Sequence, residues 1–217
     1  MYKKFLTFAL SLSAVSHAWS MTDTLSQRKS INIDEIVITG SRSETDSRRL
    51  PSTISVIDRG IIEGSYESSL LPTLSSQVPG LFITSRGILG YGVSTGAAGG
   101  MTLRGIGNSP TSGLLVLIDG HPQYMGLMGH PIADAYQSVL AEKVEVVRGP
   151  ASVLYGSNAM GGVINIVTRQ ATEGSHTHAR IGYGSFNTLT SEVTHQSKIK
   201  HFGSTVSAFY NRTDGHR

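Results

Sequence analysis

Residues 142–169, EKVEVVRGPASVLYGSNAMGGVINIVTR, decide how the rest of the chain is read. Residues 143–148 have the β-branched content and period-2 character of a half-buried strand. Gly149-Pro150 stops that strand, because proline has no N–H for the ladder and constrains the residue before it. Residues 151–155 suit one or two helical turns, with Pro150 at the helix start. Gly156, Gly161 and Gly162 supply the permissive backbone of a return, and residues 163–168 form a second apolar strand. Read from its residues alone, the stretch is a β-α-β packing unit without chemistry of its own.

Further upstream, residues 114–118 (LLVLI) predict a strand buried on both faces, and Asp119-Gly120 turns the chain after it. Residues 53–57 (TISVI) predict a short strand opened by Pro51. Asp58 is placed to cap a short helix over 59–63, and Ser68 or Ser69 to cap a second, LLPTLSSQV, with Pro72 in its first turn. Pro79-Gly80 ends that helix; 81–85 predict a strand, 101–105 a strand and turn, and 131–140 a helix. Between these lie two long loops, 86–100 (RGILGYGVSTGAAGG) and 121–130 (HPQYMGLMGH). Loops of such length in compact domains tend to be functional or disordered.

Three segments in this set carry a resemblance: Arg148-Gly149-Pro150, Leu154-Tyr155-Gly156 and Gly161-Gly162-Val163-Ile164-Asn165-Ile166. In register, they resemble the end of the plug domain of TonB-dependent outer-membrane receptors. The order strand, helix, Gln77-Val78-Pro79-Gly80, strand is similar to the same domain. The resemblance implies an α+β plug domain, a small mixed sheet with short helices and long loops, followed by the first antiparallel strands of a transmembrane β-barrel. The loops would face outward and meet ligand through Arg86, Tyr91, His121, Tyr124, Met125 and Met128, or pack against the barrel wall.

The N-terminus reads as an export signal. Lys3-Lys4 is a positive n-region, 5–15 an apolar run too short to span as a helix, and Ser16-His17-Ala18 sets small residues where signal peptidase reads. Cleavage is expected after Ala18; an N-terminal anchor or buried helix is the other reading. Residues 19–33 are a polar leader without periodicity. Then come Asp34, Glu35, Ile36, Val37, Ile38 and Thr39, a strongly β-prone run with no obvious hairpin partner. Such a strand is a candidate for donation to another protein's sheet edge, or an edge strand of the following domain. Residues 34–42 resemble the TonB box, which implies pairing with TonB, backed by its inner-membrane energising complex. Residues 44–50 read as a charged linker.

From residue 173 the pattern changes. Thr177, Ala179, Ile181 and Tyr183, then Leu189 and Val193, then Phe202, Val206, Ala208 and Tyr210 alternate with polar neighbours. Three such segments of about ten residues fit outer-membrane barrel strands, and a soluble antiparallel sheet has the same period. The expected division is signal peptide 1–18, leader 19–33, TonB box 34–42, plug 43–172 and barrel start 173–217. A plugged barrel has about 22 strands, so three form an incomplete barrel and the chain reads as the N-terminal part of a receptor. The alternative is a plug-only, non-transporting periplasmic protein that binds TonB.

Composition narrows the classes. Charged residues make up 15% and glycines number 25, which suits sheets and turns with uncharged polar surfaces. Net charge is +3, and without Lys3 and Lys4 the balance is 16 basic to 15 acidic, no footprint for nucleic acid. There is no cysteine for a disulfide scaffold or thiolate metal site. Asp119, His121, His130 and Asp134 match no helical metal-ligand spacing, and GSNAMGG at 156–162 lacks the Lys-Ser/Thr of a phosphate loop. No enzyme, cofactor or metal site is expected. The resemblance implies uptake of a ferric siderophore, haem or cobalamin at the bacterial outer membrane, the plug inside the barrel and the TonB box facing the periplasm. The short leader leaves no room for an N-terminal signalling domain of about 80–100 residues.

Overall fold

The computed structural model describes residues 36–37, 39, 45–46, 53–84, 100–107, 113–123 and 135–215. The two strands predicted at the ends of 142–169 form and pair antiparallel. They are β8 (Ala141–Arg148) and β9 (Gly162–Thr168), with Val144 opposite Ile166 and Arg148 opposite Gly162. Around them a mixed five-stranded sheet assembles in the order β3, β8, β9, β6, β7, where β3 is Thr53–Ile57, β6 is Leu114–Ile118 and β7 is His121–Pro122. Only the β9–β6 pairing is parallel. Two antiparallel two-stranded pairs stand beside it: β1 (Ile36–Val37) with β2 (Thr45–Asp46), and β4 (Leu81–Ile83) with β5 (Met101–Leu103).

The caps form as expected. Asp58 accepts from Ile61 N at 2.9 Å and opens α1 (Arg59–Gly64); Ser69 accepts from Leu71 N at 3.3 Å and opens α2 (Leu70–Gln77). One face of the five-stranded sheet packs Val144, Val146, Ile164, Ile166, Leu114 and Val116 against Ile62, Leu70, Leu71 and Leu74 of the helices. The other face collects Leu115, Leu117, Val147 and Val163 under the 149–161 connection, through Ala151 and Ala159.

Several expectations change. β8 is not half-buried: Val144, Glu145, Val146 and Val147 are all buried, because helices cover one side of the strand and the connection covers the other. Pro150 lies outside the helix start, one residue before the Ala151 cap of α3 (Ser152–Tyr155). Residues 45–46 of the supposed linker form β2, so Ile36–Val37 has the hairpin partner that looked absent. His121 sits in β7 opposite Ile118 rather than in a loop. Over 135–140 the predicted helix is replaced by a 3-10 turn, Ser138–Leu140. There Leu70 N donates to Tyr136 O at 2.9 Å and Ser138 N to Ser68 O at 2.8 Å, so bonds to a segment distant in sequence replace a helical ladder.

The last three strands are long: β10 (Gly174–Gly184), β11 (Thr188–Ile199) and β12 (Phe202–Arg212), an antiparallel meander. Among the described residues, no helix is long and apolar enough to cross a membrane.

Candidate functional site

The meander is amphipathic in an unusual sense. Ile181, Val193, Val206 and Tyr210 lie on one face and are exposed; Ile181 is 78% exposed and Val206 65%. The opposite face carries Arg180, Glu192, Thr194, Gln196 and Asn211, and Thr194 and Gln196 are buried. This polar face makes the contacts with the rest of the chain. Arg180 Nη1 donates to Glu63 O at 3.0 Å, its Nε lies 2.9 Å from Glu192 Oε1, and its guanidinium stands 5.9 Å from the Tyr66 ring centre. Ser68 Oγ bonds Asn211 Oδ1 at 3.2 Å, and Gln196 Nε2 donates to Gln170 O at 3.4 Å. A water-soluble sheet buries its apolar face and wets its polar one. Here the assignments are exchanged, which fits a sheet whose outer solvent is hydrocarbon.

A second feature lies on the covered face of the five-stranded sheet. Glu145, in mid-β8, is fully buried. Its Oε2 accepts from Thr39 N at 2.8 Å and from Thr39 Oγ1 at 2.6 Å, and its Oε1 is 2.7 Å from Lys143 Nζ. Thr39 is itself buried, and its carbonyl accepts from Tyr155 Oη at 3.0 Å. A buried carboxylate is tolerable only with a counter-charge and hydrogen bonds, and this one has both.

Of the residues resembling a TonB box, Ile36 and Val37 form β1 and Thr39 is docked on Glu145; Asp34, Glu35 and Ile38 lie outside the described residues. Of the suggested ligand contacts, Arg86, Tyr91, Tyr124, Met125 and Met128 also lie outside them, and His121 is exposed in β7.

The motif residues are placed as structure. Gly149 N donates to Gly161 O at 3.2 Å, which pinches the connection closed. Gly162 has φ +152°, and a Cβ there would overlap the Val147 carbonyl and Leu103 Cδ2. Tyr155 reaches Thr39, and Gly156 turns the chain after α3 at φ +84°. Asn165 Oδ1 accepts from Gly120 N at 3.1 Å. Arg148 Nε and Arg169 Nη1 are buried without a hydrogen-bond partner among the described residues. The two carboxylate oxygens of Asp119 accept from Thr168 N at 2.8 Å and Thr168 Oγ1 at 2.6 Å.

Glu145 escaped the sequence reading. The available signal was an acidic residue in the middle of an apolar strand, KVEVV, where an uncompensated charge is expensive.

Comparison with known proteins agrees with this geometry. A family model described as TonB-dependent Receptor Plug Domain matches residues 46–163. The chain is 32% identical over 209 residues to a hemin receptor of Yersinia pestis, covering 96% of this chain and 28% of that protein. It is 31% identical over 187 residues to the vitamin B12 transporter BtuB of Vibrio vulnificus (strain YJ016), covering 85% and 28%. Among solved structures, the pyoverdine outer membrane receptor FpvA of Pseudomonas aeruginosa PAO1 has a similar fold, with a TM-score of 0.60 and 17% identity over 82% of this chain and 24% of that one. The chain thus spans about 28% of the length of these two curated relatives.

Proposed function

We propose, from the premise that this chain belongs to the TonB-dependent receptors through its plug domain, that it serves energised uptake of a scarce ligand across the bacterial outer membrane. The observation that carries this reading is the exchanged polarity of the β10–β12 sheet, polar toward the plug and apolar outward. That arrangement suits a barrel wall lined by the plug and bathed by lipid. Nothing covalent happens to the cargo; the plug is an obstruction to be rearranged.

The energy would enter at the N-terminal strand. β1 has only β2 as a strand partner among the described residues, over two residue pairs. So short a pairing is readily exchanged for a longer one, and strand addition supplies main-chain hydrogen bonds to the incoming partner. TonB, driven from the inner membrane, is the partner that fits, and it would pull on residues 36–38 from the periplasmic side.

The cargo belongs to the haem or cobalamin class. Support for this comes from the two relatives above, whose names give hemin and vitamin B12 and which match most of this chain at nearly equal identity. Ferric siderophores are the third class. The test is growth: a strain lacking its own haem and cobalamin receptors receives the locus that encodes this chain. Growth on hemin or cyanocobalamin that disappears when TonB is deleted supports the proposal. Growth independent of TonB, or on none of the three ligand classes, overturns it.

A further inference from the structure

A single buried carboxylate holds the exit point of the N-terminal strand. Thr39 follows β1 by two residues and is 1% exposed. Its N–H and hydroxyl both donate to Glu145 Oε2, and its carbonyl accepts from Tyr155. Hydrogen bonds to a carboxylate are shorter and stronger than neutral ones, and low local polarity strengthens them further. Every backbone and side-chain polar group of Thr39 is thereby engaged, whereas β1 has a two-pair ladder among the described residues.

The anchor is stiff. Glu145 stands in the middle of β8, opposite Val56 of β3 on one side and Asn165 of β9 on the other. The second contact comes from the far side of the turn: Tyr155 belongs to the 149–161 connection, whose base is pinched by Gly149 N to Gly161 O. Thr39 is therefore clamped between the sheet and the connection that covers it. Glu145 and Thr39 are 106 positions apart, so this clamp forms only in the folded plug.

We propose that Glu145 is a latch: it keeps the strand before Thr39 docked at rest and sets how readily that strand is released to a partner. Glu145 acts through Thr39 and is a positioning residue. A pull on β1 meets the two-pair ladder to β2 and the three bonds of Thr39. Those three bonds, to Glu145 and Tyr155, lie on the face opposite the apolar layer of Val144, Val146, Ile164 and Ile166. The identity of the partner rests on the function proposed above; the latch does not.

The test measures amide hydrogen exchange and partner binding on the same proteins, using the full chain. Thr39→Val removes only the hydroxyl donor, Tyr155→Phe only the phenol, and Glu145→Gln the ion pair while keeping an acceptor. Each is expected to raise exchange at residues 36–46 by about tenfold while exchange in 114–118 and 163–166 stays unchanged. The purified periplasmic domain of TonB is the binding probe. Its apparent affinity should rise by a similar factor, because a docked strand lowers the competent fraction. Unchanged exchange at 36–46, or equal increases throughout the core, overturns the latch. Local release with TonB bound equally by wild type and variants overturns its control over release. Local release with TonB bound by none leaves the latch standing and removes TonB as the partner.

Discussion

The plug sheet and the β10–β12 meander are both built from β-prone runs, but the plug sheet buries apolar residues on both of its faces, whereas the meander buries its polar face and exposes its apolar one. In the plug sheet, Val144, Val146, Ile164 and Ile166 are sealed under helices. In the meander, Ile181, Val193 and Val206 are exposed, while Thr194 and Gln196 are buried against the plug. Period therefore identifies a strand, but not which of its faces is inside. That depends on what lies beyond each face: helices and the 149–161 connection for the plug sheet, and the plug itself on the polar side of the meander.

The same substitution placed in both regions tests this most severely. Val146→Lys puts an ammonium into a site with no exposure and is expected to cost more than about 4 kcal/mol, enough to abolish cooperative unfolding in urea. Val206→Lys, at a 65% exposed position, should change stability by less than about 0.5 kcal/mol in water. In lipid vesicles it should lose roughly 2–4 kcal/mol, if its depth is near the bilayer midplane. Equal costs in water and lipid would break the comparison.

A smaller effect belongs to the turn that ties the plug's parallel strands. Asp119 holds φ +48° while its carboxylate binds Thr168. Asp119→Ala loses two bonds and keeps the strain, so a loss of about 1–3 kcal/mol is expected in urea unfolding. Asp119→Asn retains one acceptor and tolerates the conformation, and should lose less.

The smallest effect is at the plug's edge. Partial burial pushes the Glu67 carboxyl above its ordinary value. A raised folded value means the protonated form suits the fold, so stability is fully present below the unfolded pKa of 4.5 and declines as pH rises through the folded one. Glu67→Gln should therefore match wild type at about pH 4 and exceed it slightly at about pH 7, by a few tenths of a kcal/mol in thermal melts.

Much of the fold was legible because its signals are local. The apolar run at 114–118, the Asp58 and Ser69 caps and the Gly-Pro stop at 149–150 each act within a few residues. The helix expected over 131–140 failed across 135–140 because Tyr136 and Ser138 found backbone partners at 68–70, beyond the reach of local propensity. The ligand loops proposed from length fall outside the described residues, apart from residues 100 and 121–123, of which His121–Pro122 form a short strand paired with β6.

The sequence by itself determined the longer strands, most of the turns and the motif that carries the family: β-branched runs, glycines and prolines restrict φ and ψ wherever they stand. Tertiary structure alone decided which faces are covered, that Ile36–Val37 pairs with Thr45–Asp46, and that Glu145 closes on Thr39 across 106 positions. The physical reason is that a buried carboxylate is stable only once its donors have been delivered to it, and chain folding delivers them from regions that no local pattern connects.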